Sequence, residues 1–231
     1  ASASGSGSTA IGTSASTGAF NSTTVIGSSA VTSGSAAVAV GDSASASGSS
    51  VAIGSSATTA SGSSGVAVGA SSSLTGAAGT AIGTSATAAN SAVALGTSAS
   101  AAGTPSIAIG SSASVTTGTG IAIGGSALVA FTNSIALGYG SVTDATNQMV
   151  VGTTTNVISD IFFGQGAYAN SPTAYTINGT AGRGTNITGG ALQFAGGQGT
   201  GSGLGGSILF KTASAGLTGT SLNSLSTRMT I

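Results

Sequence analysis

The chain contains no cysteine, no histidine and no tryptophan, and its 231 residues include only three basic side chains, three acidic ones and two prolines. Without thiols or imidazoles there is no disulfide framework, no zinc site of the Cys/His kind and no mechanism that needs thiolate or imidazole. An ordinary soluble domain is about one quarter charged, whereas this chain is 3% charged, and Asp42 is the only charged side chain ahead of Asp144. That scarcity excludes a basic nucleic-acid surface and a polybasic membrane patch. Long apolar runs are missing too. The longest are of the length of Ala36 to Val40, far short of the roughly 20 residues of a membrane-spanning helix, so no membrane insertion is expected. No basic segment leading into an apolar stretch opens the chain. A leader is therefore expected to be absent or already removed before Ala1, and the chain is expected to continue past Ile231 in the gene product.

What is abundant is small. Of the first 140 residues, 109 are Gly, Ala, Ser or Thr. That composition alone describes a flexible linker, but the order of the residues does not. A tetrad of the form Val/Ile/Thr-Ala-Ile/Val/Leu-Gly recurs as Thr9-Ala10-Ile11-Gly12, Thr24-Val25-Ile26-Gly27, Val38-Ala39-Val40-Gly41, Val51-Ala52-Ile53-Gly54 and Val66-Ala67-Val68-Gly69. It continues as Thr80-Ala81-Ile82-Gly83, Val93-Ala94-Leu95-Gly96, Ile107-Ala108-Ile109-Gly110, Ile121-Ala122-Ile123-Gly124 and Ile135-Ala136-Leu137-Gly138, with a weaker Met149-Val150-Val151-Gly152. The closing glycines are 15, 14, 13, 15, 14, 13, 14, 14, 14 and 14 residues apart. A linker has no reason to keep such a ruler.

Between the tetrads lies a second element, seen in Ser43-Ala44-Ser45-Ala46, Ser85-Ala86-Thr87-Ala88, Ser98-Ala99-Ser100-Ala101 and Ser112-Ala113-Ser114-Val115. Both elements alternate with period 2, the signature of strands. In the tetrads the two larger aliphatics share one face and alanine takes the other, while glycines are expected where the chain reverses. Each 14-residue unit is thus predicted to be one coil of a parallel β-solenoid, with two short strands and two turns. Fourteen extended residues close a perimeter of at most about 46 Å, an interior that admits alanine and mostly rejects leucine. The Val/Ile pairs then need another surface, most simply another copy of the chain. Stacked at about 4.8 Å per rung, the coils predict a rod on the order of 48 Å long. A solenoid that closes both faces within one chain is the alternative. A flat ice-binding face is a third reading, against which Thr13, Thr84 and Thr97 alternate with Ser28, Ser55 and Ser111, so threonine forms no regular array.

Three regions follow from these patterns: the repeats at 1–138, a junction at 139–176 with larger residues, and a glycine-rich β-structured domain at 177–231. Val157-Ile158-Ser159-Asp160-Ile161-Phe162-Phe163-Gly164 is the most apolar stretch and is predicted to be a buried strand. In the last region Leu192/Phe194 and Ile208/Phe210 are predicted on short strands, and the alternation of residues 222–231 predicts a final one. Little here suggests chemistry, and no enzyme and no cofactor are expected. Gly199-Thr200-Gly201-Ser202-Gly203-Leu204-Gly205-Gly206 lacks the Gly-Lys-Ser/Thr ending and the following helix of a phosphate loop. Serines are many but have no histidine base. Asp42, Asp144 and Asp160 read as turn residues, with a cation on an oligomer axis as the alternative for Asp144 or Asp160.

At residues 9–152 the repeats resemble the YadA-like head domain of trimeric autotransporter adhesins, most closely in Asn90-Ser91-Ala92-Val93-Ala94-Leu95-Gly96 and Asn133-Ser134-Ile135-Ala136-Leu137-Gly138. The resemblance implies an all-β, left-handed parallel β-roll, three of which, intertwined or side by side, form a homotrimer with the aliphatic pairs toward the axis. The expected trimer-core aliphatics are Val38, Val40, Val51, Ile53, Val66, Val68, Val93, Leu95, Ile107, Ile109, Ile121, Ile123, Ile135 and Leu137. Residues 177–231 resemble the glycine-rich region ahead of the C-terminal chaperone of phage tail fibres, in Thr188-Gly189-Gly190-Ala191-Leu192 and Gly205-Gly206-Ser207-Ile208-Leu209-Phe210. Together these imply a structural and adhesive fibre. The first expectation is a virion tail-fibre segment, with other virion proteins and a host-surface glycan or protein as partners. The alternatives are the head of a bacterial surface adhesin and a purely structural extracellular filament. Tyr139, Tyr168 and Tyr175 are the candidate receptor contacts, with packing of the junction as their other role.

Overall fold

A computed structural model describes residues 1–60, 64–161, 174–216 and 223–231. They divide into two compact units, 1–161 and 162–231.

The first unit is a parallel β-roll of about ten coils. Its larger sheet has 11 strands, one per coil, from Thr9–Ile11 through Val38–Val40, Val66–Val68, Val93–Leu95 and Gly120–Ile123 to Met149–Val151. Every neighbouring pair is parallel and in repeat register, so that Val38 lies beside Val51, Val51 beside Val66 and Ile107 beside Ile121. A second, narrower sheet runs behind it through Val31–Ser33, Ser45–Ser47, Ser73–Leu74, Thr87–Ala88, Ser100–Ala101, Ser114–Val115 and Leu128–Val129. Isolated bridges at Ser2, Ser16, Thr58 and Val142 carry that pairing into the remaining coils.

The interior between the sheets is a few side chains wide. Ala39, Ala52, Ala67, Ala81, Ala94, Ala108, Ala122 and Ala136 face in from the larger sheet, and all are fully buried. Ala44, Ala57, Ala86, Ala99, Ala113 and Ala127 meet them from the second. The second sheet's other inward column varies more: Thr32, Ala46, Thr59, Leu74, Ala88, Ala101, Val115, Val129 and Thr143. Against some of its larger members the facing strand supplies glycine. A Cβ on Gly65 would lie 2.5 Å from Leu74 Cδ1, and one on Gly120 would lie 2.7 Å from Val129 Cγ1 and 3.1 Å from Val115 Cγ1. At the equivalent place in the coils between these two glycines stand Gly79, buried Ala92 and buried Ser106. The narrow core is thus kept filled rung by rung, as close packing requires.

The two corners differ. From each closing glycine to the first inward residue of the second sheet is always three residues, as in Gly83 to Ala86 and Gly110 to Ala113, so the 13- to 15-residue variation falls wholly in the other corner. In the constant corner the glycine has φ between +116° and +141°. A Cβ there would run into the next rung: 2.3 Å from the Gly96 oxygen for Gly83, 2.4 Å from the Gly69 oxygen for Gly54. Two residues on, the chain is again left-handed, and serine is the residue that adopts it, at Ser14, Ser29, Ser43, Ser56, Ser71, Ser85, Ser98, Ser112 and Ser126 with φ near +56°. Glycine, expected where the chain reverses, holds the first of the two positive-φ places, and serine holds the second. The turn resembles type II, whose third position requires positive φ, and only in the last coil does Gly140 fill it. Backbone hydrogen bonds run on through the corner, from Ser98 N to the Thr84 oxygen and from Ser112 N to the Thr97 oxygen, 2.8 Å each.

Three expectations are corrected here. The roll does not stop at Gly138: Ile135 pairs with Met149 and Leu137 with Val151, because the weak last tetrad keeps the alternation and the register. Val157–Ile161 is not a buried strand. Val157 is 69% and Ile161 68% exposed, since among the described residues this segment finds neither a pairing strand nor a second layer to bury against. Phe162 and Phe163 lie outside the described residues. In the second unit Leu192 and Phe194 stand outside any strand, while Leu209–Ala213 pairs antiparallel with Leu225–Thr230. Among the described residues no helix is long and apolar enough to cross a membrane.

Candidate assembly interface

Alternation along each tetrad puts its first and third residues on the outer face of the larger sheet, and parallel register stacks them into two columns. One column runs Thr9, Thr24, Val38, Val51, Val66, Thr80, Val93, Ile107, Ile121, Ile135 and Met149. The other runs Ile11, Ile26, Val40, Ile53, Val68, Ile82, Leu95, Ile109, Ile123, Leu137 and Val151. All 14 expected trimer-core aliphatics stand in these columns. In the single chain they are half-buried or exposed, Ile53 at 39% and Leu137 at 37%. Ile11, Ile26, Ile82, Met149 and Val151 belong to the same stripe but were passed over. Thr9, Thr24 and Thr80 open three of those tetrads and weaken the aliphatic signal, although register forces the third residue into line.

The stripe is about 48 Å long and roughly 10 Å wide, several hundred Å² of apolar surface, at or beyond the largest patch an ordinary monomer leaves open. Beside the first column, Pro105, Ser106, Thr119 and Gly120 line a shallow groove with Val93, Ile107 and Ile121. The opposite face of the roll is hydroxyl-rich. Ser45, Thr58, Ser73, Thr87, Ser100 and Ser114 project from the second sheet, and Thr58 Oγ1 donates to Ser73 Oγ at 3.1 Å, as Thr87 Oγ1 does to Ser100 Oγ at 3.3 Å. One roll therefore has a wettable face and an unwettable one.

Of the candidate receptor contacts, Tyr139 is in the last constant corner, 66% exposed, its ring 3.1 Å from where a Cβ on Gly125 would stand. Tyr175 belongs to the other unit and is 58% exposed. Tyr168 lies outside the described residues. The acidic residues are spread apart. Asp144 closes a loop with Gln148, accepting from Nε2 at 2.7 Å while Gln148 Oε1 accepts from the Asp144 amide at 2.8 Å. Asp42 Oδ2 accepts from Ser43 Oγ at 3.3 Å and Asp160 Oδ2 from Ser159 Oγ at 2.9 Å. Among the described residues no group of three His, Cys, Asp or Glu comes together to hold a metal.

Fold and stripe define a class: a parallel β-roll rod with one continuous uncovered aliphatic face. No protein-family model and no curated protein sequence matches the chain. Among solved structures it is similar to the crystal structure of the collagen-binding domain of the Yersinia adhesin YadA, at 27% identity and a TM-score of 0.52, over 62% of this chain and 80% of that one. The repeats are YadA-like in fold as well as in motif.

Proposed function

We propose that this chain is the head of a trimeric adhesive fibre on a bacterial cell surface. The observation that carries the reading is the uncovered aliphatic stripe on a roll similar to the collagen-binding domain of an adhesin. Three stripes facing one axis bury one another and leave three hydroxyl faces outward. If each of the 14 aliphatics loses about 40 Å² more, the gain is about 1 kcal/mol apiece, on the order of 40 kcal/mol per three chains. Two association steps cost roughly 8–30 kcal/mol, so the trimer forms and, once formed, does not come apart. With few charges its surface responds little to salt, which suits work outside a cell. Adhesion then falls to the corners and the hydroxyl faces, with a matrix protein such as collagen or a surface glycan as ligand.

A virion tail fibre would use the same rod in the same way. That placement rests on the resemblance of residues 177–231 alone, and antibody labelling of cell envelopes against virus particles separates the two. Assembly is tested by sedimentation equilibrium. A mass of three times 20.9 kDa is expected, a monomer refutes the reading, and Ile53→Asp is expected to lower the thermal midpoint or the yield of the trimer where Thr58→Asp on the opposite face does not. Adhesion is tested by binding of the purified protein to immobilised collagen and to a glycan array, with albumin as the control. Binding to neither leaves a purely structural filament.

A further inference from the structure

The three basic side chains, Arg183, Lys211 and Arg228, all lie in the last quarter of the chain, and the 182 residues ahead of them contain no lysine or arginine. A serine protease of trypsin specificity chooses its bond by the basic side chain that enters its S1 pocket. It therefore has three bonds to choose from in 231 residues, and none of them is in the roll. Two of the three are tied into a ladder. Lys211 is on Leu209–Ala213, where it pairs with Thr227 of Leu225–Thr230. Arg228 is on the second of these strands, and its guanidinium donates to Thr212 Oγ1 at 3.1 Å and to Ser214 Oγ at 2.6 Å. Ile208 and Ile231 extend the ladder by exchanging two N–H···O bonds of 3.0 Å.

Arg183 is placed otherwise. It is exposed, in a loop through which no strand runs and whose base is closed by Gly190 N donating to the Thr180 oxygen at 2.7 Å. Glycines flank it on both sides. A Cβ on Gly182 would be 2.5 Å from the Ile187 oxygen, and Gly184 has φ +123°. A turn that only glycine permits is also one that glycine can leave, because it populates both signs of φ. To be cut, a segment is laid out as an extended strand in the protease cleft. The residues around Lys211 and Arg228 must first leave their ladder, whereas those around Arg183 have only a turn to open, as at the loop tips where proteins are most readily nicked. We propose that the Arg183–Gly184 bond is a processing site for an extracellular serine protease of trypsin specificity, where one cut covalently separates the roll from residues 184–231. The protease serine oxygen forms an ester with the Arg183 carbonyl carbon as the Gly184 nitrogen leaves with a proton, and water hydrolyses the ester. One water is consumed, leaving a carboxylate on Arg183 and an amine on Gly184. That a protease meets the chain rests on the cell-surface placement proposed above; which bond it cuts does not.

Limited digestion of the full-length chain with trypsin, followed by intact-mass measurement, tests this. The first products expected are 1–183 and 184–231, together heavier than the chain by one water, with cuts after Lys211 and Arg228 at least about 10-fold slower. The 1–183 fragment should survive prolonged digestion and keep the hydrogen-exchange protection of the roll. Arg183→Gln should slow the first cut at least about 10-fold at an unchanged thermal midpoint, and Arg183→Lys should be cut at the same bond. A first cut after Lys211 or Arg228, equal rates at the three bonds, or a chain that trypsin leaves whole overturns the proposal. So does an Arg183→Gln chain cut as fast as the wild type. Sedimentation of the uncut sample keeps the two readings apart: a monomer cut first after Arg183 refutes the trimer and supports the processing site, and a trimer cut first elsewhere does the reverse.

Discussion

The constant corner permits a test in which a single methyl group is placed where the fold either forbids or allows it. In Gly83→Ala the added Cβ meets the Gly96 oxygen at 2.3 Å, at a φ of +137°. Contact distance is nearly 1 Å longer, so the rung must shift or its corner must open. The bonds at risk are Gly96 N to the Ile82 oxygen and Ser98 N to the Thr84 oxygen, both 2.8 Å. At about 1 kcal/mol each, with about 1–3 kcal/mol for the forced backbone, the cost is about 3–5 kcal/mol. Gly138→Ala separates these terms. Its φ is +116°, but the nearest atom to its Cβ is Gly152 N at 3.3 Å, so only the backbone strain of about 1–3 kcal/mol remains. Gly140→Ser should cost less still, because φ there is +66°, nothing lies closer than Thr153 Cγ2 at 3.5 Å, and serine holds the equivalent place in the preceding coils. Stability in a solenoid is shared between neighbouring rungs. The assay is therefore hydrogen exchange of the amides on rungs 80–96 and 135–152, beside denaturant midpoints. If Gly83→Ala and Gly138→Ala cost the same, the carbonyl contact is not what demands glycine, and the reasoning fails.

Two further outcomes follow from the packing. Gly120→Ala overfills the core against Val129 and Val115 and should cost about 1–3 kcal/mol. Adding Val129→Ala should return part of that loss, a coupling of about 1 kcal/mol measurable by denaturant unfolding of the four members of the cycle; strict additivity would show that the two sites do not share space. Tyr139→Ala removes a largely exposed ring, so its thermal midpoint should move by no more than about 0.5 kcal/mol of stability. A loss of surface binding at unchanged stability would make Tyr139 a contact residue, and a clear loss of stability would make it packing.

The sequence by itself determined the roll. Strand alternation has period 2 and a parallel solenoid stacks equivalent positions, so Val38-Ala39-Val40 and its kin could only place alanine in a narrow interior and aliphatics in two outer columns, with the glycine ruler counting the coils. The need for a covering surface was legible for the same reason: alternation turns both aliphatics of a tetrad outward, and a 14-residue perimeter has no room to take in such a pair at every coil. Tertiary structure alone decided what depends on distances between rungs. The glycine barred by the next rung's carbonyl and the packing of Leu74 or Val129 over Gly65 or Gly120 are contacts between residues nine to fifteen apart, and the left-handed serines are a corner conformation; local alternation encodes none of these. It also decided that the apolar segment Val157–Ile161 stays exposed and that Ile208 finds Ile231. Hydrophobicity marks a residue as needing a partner, but only the folded chain shows whether that partner lies in the same molecule.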